Sequence, residues 1–169
     1  MILLALLFIV AFVPMLLENQ RSVRNHRALL EAGAIEPADD VYPIMLVTYP
    51  GAFVAMLAEA WLRGSTVTTV TGIGAAVFIA AKLLKYWAIA TLGPRWTFRV
   101  LVPPGSVRTL AGPYRYFRHP NYIGVMGEIV GFALLAAAPI AGALATVVFA
   151  AVLLARIRVE ERALGLRSR

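Results

Sequence analysis

The fold of this protein is decided by the apolar run VTGIGAAVFIAAKLLKYWAIATL, residues 70–92. A helix that crosses a bilayer needs about 17 to 25 mainly apolar residues, and this run has that length and contains no proline. The rest of the chain has the same character, because 60% of its 169 residues are hydrophobic and its mean hydropathy is +0.77. One water-soluble core cannot bury so much apolar surface, so the sequence predicts an integral membrane protein.

Four more apolar runs lie on either side of residues 70–92, and the five runs together predict an all-α bundle of about five transmembrane helices. The last two runs meet at Pro139, which predicts a tight helical hairpin unless both are half-spanning pieces. Residues 18–43 alternate in charge and end in an acidic turn, so we expect an interfacial helix there. The expected helices lie in a single membrane domain, residues 1–169, at residues 1–17, 44–62, 70–92, 122–138 and 140–155.

Basic residues are distributed unevenly between the predicted loops. Thirteen arginines fall in the first loop, in the third loop or in the helix extension of residues 156–169, whereas Arg63 stands alone on the opposite side. The positive-inside rule therefore places the third loop, residues 93–121, and the C-terminus in the cytoplasm, with the N-terminus outside the cytoplasmic membrane. The net charge of +7 reflects this bias and favours contact with anionic lipid.

Composition also excludes two kinds of partner. The chain has no soluble basic domain that would bind nucleic acid. It has no cysteine, and its only histidines, His26 and His119, lie far apart in sequence, so no metal site is expected. The oligomeric state is left open.

A polar and aromatic cluster interrupts the apolar sequence at GPYRYFRHPNYIG, residues 112–124. Membrane anchoring needs only one or two such residues, although an interfacial aromatic belt is an equal alternative for His119 and Tyr122 taken alone. Farther on, Glu160 and Glu161 lie at the cytoplasmic end of the last helix, where the helix dipole disfavours carboxylates. A cation must compensate them, supplied either by neighbouring arginines or by a ligand.

The cluster resembles the signature G-P-Y-x-x-x-R-H-P-x-Y-x-G of the isoprenylcysteine carboxyl methyltransferase and phospholipid methyltransferase group, and RIRVEE, residues 156–161, resembles that group's second signature, R-x-x-x-E-E. The resemblance implies that the cytoplasmic loop and helix ends bind S-adenosylmethionine, with S-adenosylhomocysteine as the product. It also implies that Arg156 faces the methyl acceptor. The cofactor contacts implied in the same way are Tyr114, His119, Pro120, Asn121, Tyr122, Glu160 and Glu161.

Charged residues inside the predicted helices are costly to bury, which makes them functional candidates. Lys85 and Glu128 each lie about 10 Å below the cytoplasmic interface, so we expect a buried ion pair that lines a substrate cavity. Lys85 would bind the substrate and Glu128 would help a neutral acceptor, although snorkelling is an equal alternative for Lys85. Glu59 and Arg63, four residues apart, are interpreted as a structural pair.

The resemblance thus predicts a membrane methyltransferase that acts on a lipophilic acceptor arriving from the bilayer. O-methylation of a prenylcysteine-type carboxylate or of a long-chain alkylpyrone-type hydroxyl is favoured, the latter because RWTFRV, residues 95–100, is similar to a bacterial subgroup associated with type III polyketide synthases. N-methylation of a phospholipid is the alternative among enzymes. Outside enzymes, the alternative is a small transporter or scaffold built on the Lys85–Glu128 pair.

Overall fold

The described residues form an all-helical membrane bundle, which confirms the predicted fold class. The computed structural model describes residues 2–64, 67–105 and 109–165. Arg108, Arg167 and Arg169, which were counted toward the topology, lie outside the described residues. The helices are α1 (Ile2–Glu31), α2 (Tyr42–Arg63), α3 (Thr69–Leu92), α4 (Pro120–Leu135) and α5 (Pro139–Ala163), with 3₁₀ turns at Gly93–Arg95 and Gly112–Arg115 in the third loop.

Four of these helices, α1, α2, α3 and α5, are long and apolar enough to cross a membrane, so the protein is a multi-pass membrane protein. The remaining helix, α4, has 16 residues, fewer than a full span needs. It ends before the expected residue 138, because the chain turns through Ala137, whose φ is +51°.

Helix α1 extends well beyond the boundary expected from the sequence. We expected the first span to end at residue 17 and a separate interfacial helix to follow, but one helix continues to Glu31. The reason is that Glu18 is buried and has a partner, since its Oε1 lies 3.3 Å from Nζ of Lys82 on α3. Helix α5, for which a helix extension was expected, continues past residue 155 to Ala163 and carries Arg156 and Glu160 on its last turns.

Helices α3 and α4 are in backbone contact at glycine residues. A Cβ atom added to Gly131 would lie 2.5 Å from the backbone nitrogen of Phe78, and one added to Gly74 would lie 2.2 Å from that of Leu135. Small residues permit such close helix contact in membranes. Gly74 therefore serves helix packing, whereas a Cβ on Gly72 would contact nothing within 4 Å.

The part of α1 beyond Glu18 holds the third loop in place. Asn25 donates hydrogen bonds to the carbonyl oxygens of Gly93 and Trp96, at 3.2 and 2.7 Å, and Ser22 accepts one from the backbone of Phe98 at 2.7 Å. The first and third loops also pair with each other through one antiparallel β-bridge between Ile35 and Val102. The long irregular loop is thereby fixed against α1 and the first loop.

At the opposite end of the bundle, Glu59 forms the expected pair with Arg63, with 3.8 Å between carboxylate and guanidinium. The same carboxylate accepts hydrogen bonds from the backbone amides of Ile140 and Ala141, at 3.2 and 2.6 Å. These amides belong to the first turn of α5, whose N–H groups have no partner within the helix. Glu59 therefore caps α5 as well as pairing with Arg63.

Candidate functional site

One cavity of about 360 Å³ lies between the membrane helices and the third loop. Leu16 of α1 and Leu46 of α2 line it and are 62% and 55% exposed. These accessible side chains belong to membrane-spanning helices and form the lateral part of the cavity wall. The polar part of the wall contains Tyr114, His119, Asn121, Tyr122, Arg156 and Glu160, and the apolar part contains Phe12, Met15, Leu16, Met45, Leu46 and Phe149.

The start of α4 and the end of α5 are joined by a connected group of side chains. Tyr122 donates a hydrogen bond to the Glu160 carboxylate and accepts one from Nε of Arg156 at 3.3 Å. The ring of His119 stacks on that of Tyr122, with 5.4 Å between centroids. Pro120, at the first position of α4, suits a helix start because its missing N–H would have no partner there. The two sequence signatures thus meet in space.

Arg156 is buried and tied to the loops by residues that the sequence analysis did not single out. Its guanidinium donates hydrogen bonds to the Asp40 carboxylate and, at 2.6 Å, to the carbonyl of Phe98. Asp40 also accepts a hydrogen bond from the backbone of Val100 at 2.9 Å. The sequence showed Asp40 only as part of an acidic turn. The available signal was that a buried guanidinium needs a carboxylate partner.

Two of the expected cofactor residues lie behind the cavity wall. Glu161 points to Arg118 and to Nε2 of His119, at 3.1 and 3.4 Å, and Pro120 is buried in the helix start. Neither lines the cavity, so both support His119 from behind. Tyr114 does line it. Burial and the negative charge of Glu160 raise the pKa of the Tyr114 phenol well above its ordinary value, so this group remains a hydrogen-bond donor.

The expected ion pair between Lys85 and Glu128 is present, with Nζ 3.2 Å from Oε1. The Lys85 side chain is 2% exposed and fully paired, so it does not snorkel to the interface. Three further side chains join the pair. Glu18 and Lys82 contribute a second carboxylate and a second ammonium group, and Tyr49 donates a hydrogen bond to Glu128. Lys85 and Tyr49 line the cavity, whereas Glu128 lies behind them.

Residues 73–165, more than half of the chain, match the model of the isoprenylcysteine carboxyl methyltransferase (ICMT) family. The chain belongs to this family. Membership implies a membrane methyltransferase that depends on S-adenosylmethionine. The chain is also similar to the uncharacterized protein YpbQ of Bacillus subtilis, with 31% identity over 94% of this chain and 95% of the relative. An uncharacterized protein of Haemophilus influenzae is 25% identical over 85% of this chain and 84% of its own length. No solved structure matches the chain at a significant level.

The cavity of this ICMT-family protein suits the cofactor that the family uses. Among the described residues, two buried polar atoms on its wall have no hydrogen-bond partner, Oδ1 of Asn121 and Nε1 of Trp96. An unsatisfied buried polar group costs about 1 to 3 kcal/mol, which a ligand with both donors and acceptors removes. S-adenosylmethionine has both kinds of group, and its cationic part complements Glu160. The residues present therefore fit the cofactor.

Proposed function

We propose that this protein O-methylates a lipophilic acceptor, with S-adenosylmethionine at the polar wall of the cavity and the acceptor arriving from the bilayer. The observation that carries the proposal is that both sequence signatures and the apolar faces of α1 and α2 line one cavity. When bound, S-adenosylmethionine supplies a methyl group on a positively charged sulfur. The task of the protein is then to align two ligands and to exclude water, and alignment alone supplies several kcal/mol.

In this proposal Glu160 attracts the cationic part of the cofactor. Tyr122 holds the Glu160 carboxylate in place, while Tyr114, His119 and Asn121 provide the remaining polar contacts on the wall. Pro120 and Glu161 act indirectly, because they fix His119 from outside the cavity. The cofactor set implied by the resemblance therefore divides into wall residues and supporting residues.

The acceptor end of the proposed site has two cationic side chains. Arg156 uses three of the five N–H groups of a guanidinium on Tyr122, Asp40 and Phe98, and the other two can hold an acceptor oxygen. Lys85 also lines the wall. Glu128 is available to take a proton from an acceptor that carries one. The acceptor classes that we propose are a prenylcysteine-type carboxylate and a long-chain alkylpyrone-type hydroxyl.

We also propose an orientation in which the N-terminus lies outside the cytoplasmic membrane and the polar end of the cavity faces the cytoplasm. The excess of arginines on that side supports it. The cofactor is made in the cytoplasm, so the proposed binding wall would be directly accessible to it.

Cofactor binding tests the proposal. We expect purified protein in detergent to bind S-adenosylhomocysteine, and Glu160→Gln to weaken binding at least tenfold, or about 1.4 kcal/mol, because the variant loses the negative charge on the wall. Isothermal titration calorimetry measures both. Glu31→Gln is the matched control, since it removes the same charge from an exposed position at the end of α1 and should leave the affinity unchanged.

Absence of binding to the native protein would contradict the methyltransferase proposal and favour the transporter or scaffold alternative. Equal binding by native protein and Glu160→Gln would remove Glu160 from the cofactor site. Methyl transfer to a phospholipid amine in preference to either oxygen acceptor would replace O-methylation by the N-methylation alternative.

A further inference from the structure

A cluster of five polar side chains lies inside the bundle, below the proposed cofactor wall. Its closest ion pairs are Lys85–Glu18 at 2.6 Å and Lys82–Glu128 at 3.1 Å. Four charges buried among helices cost several kcal/mol in lost hydration. The packing of α3 against α4 does not require the pairs that Glu128 forms with Lys82 and Lys85, because these two helices are already in contact through glycines. The members of this cluster, which we call the buried charge cluster, are Glu18, Tyr49, Lys82, Lys85 and Glu128.

Only part of the buried charge cluster reaches the cavity. Tyr49 and Lys85 line the cavity wall, whereas the Glu128 carboxylate is completely buried. Tyr49 donates its hydroxyl proton to Glu128, and a hydroxyl oxygen that donates can still accept a hydrogen bond. Tyr49 therefore connects the cavity wall to a carboxylate that no ligand touches.

We propose that Tyr49 and Glu128 form a proton relay, and that the acceptor is a lipophilic enol or phenol which arrives as a neutral hydroxyl. The inference rests on the proposed methyl transfer and chooses between its two acceptor classes. The acceptor O–H bond breaks and its proton passes to the oxygen of Tyr49, while the hydroxyl proton of Tyr49 passes to Oε2 of Glu128. The acceptor oxygen keeps the electron pair, and Glu128 becomes a neutral carboxyl group.

Charge balance favours this acceptor over a carboxylate. Before the relay, two carboxylates balance two ammonium groups and the acceptor is neutral. After it, Glu18 and the acceptor oxygen carry the two negative charges, so the total is again zero. A carboxylate acceptor would instead add an unbalanced negative charge to the cluster. In a medium of low dielectric constant that excess is expensive.

The positions of Glu18 and Lys85 fit the charge movement. Nζ of Lys85 is closer to Glu18, at 2.6 Å, than to Glu128, at 3.2 Å, so it keeps a partner when Glu128 is protonated. Both are positioning residues in the relay. The other groups around it include Tyr86, whose ring centroid is 5.7 Å from Nζ of Lys82, and the uncharged rings of Phe149 and Phe53, each 5.2 Å from that of Tyr49.

A chromophoric phenol tests the relay without the cofactor. A long-chain alkyl nitrophenol bound to the purified protein reports its own ionisation by absorbance. We expect Tyr49→Phe to raise the pH of half-ionisation of the bound probe by about one unit or more, a tenfold change, because the ionised probe loses the hydrogen bond that Tyr49 donates to it after the relay. Tyr116→Phe, at an exposed position outside the cavity, should match the native protein. In the native protein, probe binding should also produce the infrared band of a protonated carboxyl group.

Turnover gives a second measurement. With a long-chain alkylpyrone at a pH below the acceptor's own pKa, Tyr49→Phe should transfer methyl groups about 10²-fold more slowly than the native protein. The rate of the variant should recover as the pH rises and the acceptor ionises by itself. Native half-ionisation values in Tyr49→Phe, or absence of the carboxyl band in the native protein, would overturn the relay. Preferred methylation of a prenylcysteine carboxylate would overturn the acceptor class. Either result leaves S-adenosylhomocysteine binding intact, whereas failure of the proposed function abolishes that binding.

Discussion

The two sides of the helical bundle are built in opposite ways. Helices α3 and α4 meet through glycines, so closely that a Cβ on Gly131 would lie 2.5 Å from the Phe78 backbone. Helices α1 and α2 instead place large flexible side chains, among them Met15 and Met45, around the cavity. The glycine contacts of the closed side, α3 and α4, supply rigidity, whereas the side chains of the open side, α1 and α2, surround the space for the apolar part of a ligand.

The largest expected effect is on the closed side. Gly74→Ala should lower the stability of the protein in detergent by about 2 to 3 kcal/mol, because its new Cβ meets the backbone of Leu135 and the helices must separate. Gly72 lies two residues earlier, on the opposite face of the same helix. Gly72→Ala should therefore leave the stability unchanged or raise it by about 0.5 to 1 kcal/mol. Thermal unfolding of both variants measures the difference. Equal stability of the pair would show that the α3–α4 contact is looser than the structure indicates.

An intermediate effect is expected on the open side. Leu46→Trp fills space at the lateral part of the cavity and should raise KM for a long-chain acceptor about tenfold, or about 1.4 kcal/mol, with the affinity for S-adenosylhomocysteine unchanged. Val47→Trp is the matched control, because Val47 is 70% exposed and does not line the cavity. Steady-state kinetics with both variants separate the two positions. A parallel loss of cofactor affinity in Leu46→Trp would mean that the open side also shapes the cofactor wall.

The smallest effect concerns the loops that hold the open side together. Burial alone would raise the pKa of Glu36, but hydrogen bonds from Arg99 and His26 outweigh it and hold this pKa below its ordinary value. The resulting stabilisation is present above the ordinary pKa and is lost as the pH falls through the folded-state pKa. Glu36→Gln should thus lower the stability by less than about 1 kcal/mol at pH 7, since the pair is partly exposed. The difference in stability between Glu36→Gln and the native protein should vanish in acid. A difference in stability that persists in acid would exclude the ion pair as its source.

The sequence predicted those features that depend on long or evenly spaced patterns. Five apolar runs predicted five helices, and equal depth on two of them predicted the pair of Lys85 and Glu128. The expected end of the first helix was placed before Glu18 because the apolar run ends there. The sequence near Glu18 does not indicate that lysines of α3 pair with it. Contacts between segments that are distant in the chain could not be predicted from the sequence either.

Asp40 and Arg156 illustrate that limit, since they are 116 residues apart and meet only because two loops fold against α5. The sequence also could not predict which residues of the proposed cofactor motif line the cavity and which ones support it from behind. Glu160 and Glu161 are neighbours in sequence, but the helix turns them about 100° apart, toward the cavity and toward Arg118 respectively.

The lateral position of Leu16 and Leu46 has a consequence for the energy of substrate delivery. A water-facing enzyme would have to extract its acceptor from lipid, at about 0.8 kcal/mol for each methylene group, or about 8 kcal/mol for ten of them. Because these two leucines line the cavity and are also exposed, the proposed route lets the tail of the acceptor remain in hydrocarbon while its oxygen reaches the wall. Lengthening the tail then adds little to the barrier, and the local concentration in the membrane, rather than solubility in water, sets how often the site is filled.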